Sequence, residues 1–179
     1  ATDDGSSNTA VGHLALSANC GDDNTAVGES ALEACTGANN TAIGRRAGEA
    51  ITTGDYNACL GWNALLSLTE GDQNVASVRG GEALTTGSGN VCLGYQADTP
   101  ANNTSHSVVL GYQVTGVGSE NFTIGYGSSD SNIAFGATSV TAPSDQRYKE
   151  DIETATAGLS FIKDLRPVTF KWKKEKDLP

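Results

Sequence analysis

Short apolar triplets recur along the first three quarters of the chain, each introduced by a polar loop and most of them closed by glycine. The clear copies are Thr9-Ala-Val11, Thr25-Ala-Val27, Thr41-Ala-Ile43, Ala58-Cys-Leu60, Val75-Ala-Ser77 and Val91-Cys-Leu93. Later ones are Val108-Val-Leu110, Phe122-Thr-Ile124 and Ile133-Ala-Phe135. Three residues of alternating burial predict strands of minimal length. Stacked, their third positions read Val, Val, Ile, Leu, Ser, Leu, Leu, Ile, Phe, an apolar column broken only at Ser77 and expected to point inward. A second short strand is predicted at Ala15-Leu16, Ala31-Leu32, Ala64-Leu65 and Ala83-Leu84. In the fifth copy Gly-x-x-Ala-Leu arrives two residues late, from Gly80 to Leu84, which predicts a local bulge.

The triplets belong to a longer pattern, Gly-x-x-Asn-x-Ala-apolar-Gly. Its Asn falls at Asn8, Asn24, Asn40, Asn57, Asn74, Asn90 and Asn121, with degenerate copies at Ser107 and Asn132. The steps are 16, 16, 17, 17, 16, 17, 14 and 11 residues, and so short a period marks a solenoid. Each Asn sits between a loop and a strand, where its side chain can bond the turn backbone, so stacked copies predict an Asn ladder. The alternative is an Asn/Thr surface that orders ice or glycan. Nine coils at strand spacing would make a rod on the order of 40 Å long. Ala1 to Ser7 reads as the tail of an earlier copy, so the chain is expected to be part of a longer protein.

Composition fits this picture. The 179 residues include 22 glycines, no methionine and 6% aromatics, too few for a conventional core but enough for coils that bury small side chains on each other. The net charge of −10 is uneven: residues 1–139 hold 14 acidic and 3 basic side chains, the remainder 7 acidic and 8 basic. An acidic repeat excludes nucleic acid as partner, since phosphate binding needs a basic face. The lysine run from Lys171 to Lys176 reads as a solvated strand end. No apolar run approaches the ~18 residues of a membrane span, so no membrane insertion is expected.

The cysteines lack metal-binding spacing. Cys59 and Cys92 fall at the Ala position of the motif and are expected to pack. Cys20 and Cys35 stand at equivalent places on adjacent coils, where either packing or a disulfide is open. His13 and His106 are expected on the surface or in loops. Asp3/Asp4 and Asp22/Asp23 read as solvated turns, with calcium as the alternative. No cofactor or metal is called. The sequons at Asn39, Asn102, Asn103 and Asn121 matter only in a eukaryotic secretory route.

Two resemblances sharpen the reading. Asn8-Thr-Ala-Val-Gly12, Asn24-Thr-Ala-Val-Gly28 and Asn40-Thr-Ala-Ile-Gly44 resemble the head repeats of trimeric autotransporter adhesins. That likeness implies an all-β fold for residues 1–136: a left-handed parallel β-roll, with three chains side by side. After a connector at 137–143 the composition changes. Ser144-Asp-Gln-Arg147-Tyr-Lys149, an apolar-faced helix over 155–165, and the alternating strand Val168-Thr-Phe-Lys-Trp172 follow. Residues 144–179 resemble the opening of the endosialidase-type intramolecular chaperone of phage tailspikes and tail fibres, a short C-terminal α+β segment. The resemblance implies trimerisation and self-cleavage at Pro143–Ser144, with Ser144 as nucleophile, Lys149 as base, and Asp145 and Arg147 holding the turn.

The expected function is therefore structural and adhesive: a homotrimeric tail fibre or spike of a virion, extracellular after release. Its partners would be other tail proteins and a host surface receptor or glycan. Enzymatic activity would be at most that of a serine–lysine autoprotease. A glycan-degrading tailspike is the alternative from the enzyme class; it needs a pair of carboxylates in a cleft, and Trp62, Tyr95, Tyr112 and Tyr126 are the few aromatic platforms available. A bacterial surface adhesin is a further alternative. A hexapeptide-type acyltransferase is excluded, because its coils need an apolar residue every six positions.

Overall fold

A three-residue strand cannot bury enough surface to stand alone, so each must find its partner in the next repeat. The computed structural model describes residues 5–137, and within them the repeats do this. The strands are β1 (Thr9–Val11), β2 (Thr25–Val27), β3 (Thr41–Ile43), β4 (Ala58–Leu60), β5 (Val75–Ser77), β6 (Val91–Leu93), β7 (Val108–Tyr112), β8 (Asn121–Tyr126) and β9 (Ser129–Ala134). They lie in one sheet in chain order, and β1 to β8 pair in parallel. Thr9 faces Thr25 and Thr41 in turn, so each residue stands beside its repeat equivalent. The result is an all-β solenoid of about seven turns.

The ninth copy does not continue the stack. β9 runs antiparallel to β8, with Tyr126 opposite Ser129 and Asn121 opposite Ala134, so the expected last coil is a hairpin return. The step of only 11 residues leaves too little chain for a circuit and a parallel return.

The burial of the strands corrects a second expectation. The middle residue points into the coil: Ala26, Ala42, Cys59, Ala76, Cys92, Val109 and Thr123 are all fully buried. The third column, expected inside, faces out, and Val11 is 57% and Ile43 47% exposed. Period-two alternation puts residues one and three of a triplet on the same face. The narrow interior admits the small side chain and leaves the larger ones outside.

The predicted second strand is also absent. Leu16, Leu32 and Leu65 are fully buried, but in left-handed turns with φ of 47°, 50° and 50°. Left-handed backbone cannot extend a strand and costs an L-residue on the order of 1 kcal/mol. What holds this wall is coil-to-coil bonding: the Leu16 N–H donates to Ala31 O (3.1 Å) and the Leu32 N–H to Ala47 O (3.0 Å). The corner beyond carries Cys20, Cys35, Ile51, Leu68 and Leu84, one per coil and all buried. The thiols of Cys20 and Cys35 are free and pack in this column. Burial pushes the Cys35 thiol up to about 11 and the Cys92 thiol up to about 12.

Glycine closes the strand because two backbones meet there. Gly28 has φ +138°, and a Cβ on it would lie 2.6 Å from the carbonyl carbon of Gly44. No other residue fits both the conformation and the approach.

The Asn ladder is present, and it is the main polar feature of the interior. The N–H of Asn24 donates to Asn8 Oδ1 at 2.8 Å, that of Asn40 to Asn24 Oδ1 at 2.9 Å, and that of Asn57 to Asn40 Oδ1 at 2.9 Å. Asn74 and Asn90 continue it, and the N–H of Ser107 donates the last link, to Asn90 Oδ1 at 3.0 Å. The side-chain amide of each Asn donates onward to the next coil's turn carbonyl, as Asn57 Nδ2 does to Gly71 O at 2.9 Å. Because Asn24 to Asn90 are buried, the Asn column forms no surface array of the kind that would order ice. The ladder ends where the period drops to 14: the buried Ser107 Oγ is one atom too short to pass it on and finds no partner.

Removing one Asn therefore breaks two couplings at once. Asn57→Ala leaves the buried Asn74 N–H and Gly71 carbonyl without partners, and should lower stability by about 2–4 kcal/mol. Denaturant unfolding of the variant against the parent measures it; a loss within error would show that the ladder is not a main tie between coils.

Candidate functional site

The surface that the fold singles out is the outward strand face. Its first column runs Thr, Thr, Thr, Ala, Val, Val, Val, Phe from Thr9 to Phe122, and its third runs Val, Val, Ile, Leu, Ser, Leu, Leu, Ile from Val11 to Ile124. Neither column holds a charged residue, on a chain whose formal charge is −10. The three arginines of the described residues lie elsewhere, each paired with a glutamate: Arg45–Glu29 (2.9 Å), Arg46–Glu49 (2.6 Å) and Arg79–Glu82 (2.9 Å).

The one polar break in the third column, Ser77, has a local cause. The fifth coil is one residue short after its strand, a contraction rather than the bulge expected from sequence. Gly80-Gly81 take the place of Ala-Leu: the Leu65 N–H donates to Gly80 O and the Gly81 N–H to Ala97 O, both at 3.0 Å. Leu84 then occupies the corner column of Leu68. The tightened turn draws the Ser77 carbonyl to the Gly80 N–H at 2.7 Å, away from the next coil. Elsewhere that carbonyl accepts the following coil's N–H, as Val11 O accepts that of Gly28 at 2.8 Å. Here Ser77 Oγ substitutes for it and accepts the Gly94 N–H at 2.9 Å.

Beside the strand face runs a column made by the residue after each closing glycine. Tyr95 and Tyr112 stack with centroids 5.5 Å apart, and Tyr112 and Tyr126 at 5.3 Å. The Arg79 guanidinium fills the fifth coil's place, 5.4 Å from the Trp62 ring and 5.7 Å from that of Tyr95. Rings stacked along the column cover part of one another's faces, while Tyr126 at its end stays 71% exposed. They tie coils together on the outside.

A second ladder went unread in the sequence. The residue after the loop glycine caps the coil before it: the Ser6 N–H donates to Asp22 Oδ1 at 2.7 Å, that of Ala38 to Asp55 at 2.7 Å and that of Asp55 to Asp72 at 2.8 Å. Ser88, Ser105 and Ser119 continue it with hydroxyls. The recurrence of Asp or Ser after that glycine was the available signal. Asp22 is thus a cap, and the Ser6 N–H and hydroxyl hold its carboxyl below the usual carboxylate range. Among the described residues no group of three or more His, Cys, Asp or Glu side chains is placed to hold a metal ion, and no helix is long and apolar enough to cross a membrane. His13 and His106 are exposed.

Ser144, Lys149, Asp145, Arg147, the predicted helix and final strand, and Asp3/Asp4 lie outside the described residues, as does the connector from 138 to 143. Residues 144–178 match the family described as Chaperone of endosialidase, so an endosialidase-chaperone segment follows the solenoid, its first matched residue being Ser144. No curated protein and no solved structure matches the chain.

Among the described residues Asp98 is the one carboxyl that burial raises, and it lies on the wall opposite the strand face. It occupies the Leu column of the sixth coil, over Gly81, and accepts N–H groups from Ala83 (3.0 Å) and Thr99 (2.8 Å). Burial outweighs these bonds and raises its carboxyl above the ordinary range, with Glu82 adding to the shift. A carboxyl raised in the fold favours the folded state when protonated, and that contribution is lost as pH rises through the folded value. Asp98→Asn should therefore raise the melting temperature at pH 7, with the gain shrinking toward pH 4. Thermal unfolding of both proteins across that range checks it; a gain that grows on acidification would reverse the assignment.

Proposed function

We propose that the chain is a structural and adhesive fibre segment of a virion, a homotrimeric tail fibre or spike. In this reading a left-handed roll ends near residue 136, a connector spans 137–143, and residues 144–179 begin an intramolecular chaperone. The observation that carries the proposal is the conjunction of an uncharged, outward apolar strand face with an endosialidase-chaperone segment that follows the solenoid in the sequence. Eight triplets at ~4.8 Å spacing make that face on the order of 350 Å². That lies within the roughly 300–600 Å² of the largest apolar patch on a typical monomer, a patch that is often functional. Three copies joined along it would cover the Val, Ile and Leu column and leave the acidic loops outside. Other tail proteins and a host surface receptor or glycan would meet those outer loops, after release into the extracellular medium.

The chaperone segment orders assembly, because near-identical coils can pair one period out of step at little local cost. It then separates by its own chemistry. Lys149 in its neutral form takes the proton of Ser144 Oγ, which attacks the carbonyl carbon of Pro143. The Pro143–Ser144 amide breaks as an ester to Oγ forms, and the released α-amine of Ser144 takes up a proton. Water hydrolyses the ester and leaves Pro143 with a free carboxylate. Asp145 and Arg147 hold the turn in which this happens.

Two experiments test these parts separately. Mass spectrometry of the purified full chain should find a fragment beginning at Ser144, absent in Ser144→Ala and slowed about a hundredfold or more in Lys149→Ala; its absence from the parent removes the cleavage step. Light scattering should give the mass of three chains, and Ile43→Glu, which puts a charge on the face, should abolish that mass. A charged variant that remains trimeric would show that the copies meet elsewhere.

A further inference from the structure

The strand face is periodic, and periodicity is a problem for any partner that must bind in one register. Val27, Ile43 and Leu60 are interchangeable against an apolar neighbour, so a shift by one coil would cost such rows little. One row differs. At the fifth coil the third column carries Ser77, and the next residue is Val78 where neighbouring coils have Gly61 and Gly94. Val78 is 44% exposed and projects beside the Ser77 dip.

Resting on the trimer reading above, we propose that Ser77 is the register key of the assembly, and that its partner is Ser77 of a second copy. The charge pattern selects a copy of this chain as the occupant. The face is uncharged while the loops flanking it are acidic, so a like chain contributes no countercharge and meets it with an equally uncharged, equally spaced array.

The hydrogen-bond count at Ser77 fits this arrangement. A serine hydroxyl has one proton and two lone pairs. Ser77 Oγ uses one lone pair for the Gly94 N–H at 2.9 Å. Among the described residues its proton has no acceptor in the same chain. Rotation about an axis parallel to the stack keeps equivalent residues at one height, so three Ser77 hydroxyls meet in one layer. Each then donates to the next and accepts from the previous, and every donor and remaining acceptor is used. A slip by one coil sets each hydroxyl against Leu60 or Leu93 instead, buried and unpaired, and drives Val78 against a row built on glycine.

The test uses the full chain with its chaperone segment. Two differently tagged chains, one with Val27→Cys and one with Ile43→Cys, are co-expressed and mildly oxidised; the native thiols are buried. A disulfide between two position-27 thiols reports registration, and one between positions 27 and 43 reports a slip of one coil. With Ser77 or Ser77→Thr in the background the registered product should dominate. Ser77→Val should raise the slipped product about tenfold. A trimer of Ser77→Val that gives only the registered product would overturn the proposal and leave registration to the chaperone segment. Should Ser77→Val fail to fold, Ser77→Cys decides instead: oxidised trimers must show a position-77 interchain disulfide, and a trimer without it refutes the key. A parent chain with the mass of a single copy is a different outcome, and would remove the trimer reading itself.

Discussion

Everything in this solenoid depends on one side chain doing two jobs across a single strand spacing. A buried Asn offers Oδ1 to the next coil's N–H and Nδ2 to the next coil's turn carbonyl, as Asn40 does with Asn57 and Gly54 at 2.9 and 2.8 Å. No hydrophobic residue could do this, because a coil so narrow leaves its loop backbone facing inward with no water to bond. The ladder thus replaces solvent along the axis of the stack. It also fixes the spacing: a hydroxyl one bond shorter, as at Ser107, stops the series.

That constraint determines what else each coil can contain. With one wall given to Asn and backbone, the strand's inward position takes Ala or Cys along the ladder and Val109 or Thr123 beyond it, while the third-position Val, Ile and Leu are placed outside. The apolar column that looks like a core in the sequence is therefore an exterior face. Left-handed turns at Leu32 and Leu65 close the opposite wall, and their backbone cost is met by coil-to-coil bonds rather than by a second sheet. A globular protein would bury such a face within itself. Here the chain's geometry leaves it exposed on the outside of the coil.

The fifth coil shows how a repeat tolerates a deletion. Losing one residue after the strand diverts the Ser77 carbonyl into a tighter turn, and the Ser77 hydroxyl takes over its ladder bond. Glycines at 80 and 81 accommodate the contraction, and Arg79 fills the gap between Trp62 and Tyr95 in the outer column. Each departure from the repeat pattern at this coil thus compensates for another.

The sequence alone determined the solenoid, the first strand of each coil and the Asn ladder, because all three follow from spacing, and spacing is written in the chain. Near-equal steps, 16 residues from Asn24 to Asn40 and 17 from Asn40 to Asn57, place like beside like whatever the rest of the coil does. Ser144 and Lys149 stand as the candidates of their motif, outside the described residues. Only the tertiary structure decided which face of each three-residue strand points inward. A triplet offers one alternation and no second half-period to disambiguate it, so Val27 and Ala26 are equally good core candidates until the width of the coil is known. The same holds for Leu32 in its turn, for β9 folding back on β8, and for the role of Ser77. Each depends on how much room and how many bonds the neighbouring coil leaves, a property of the stack that no single repeat contains.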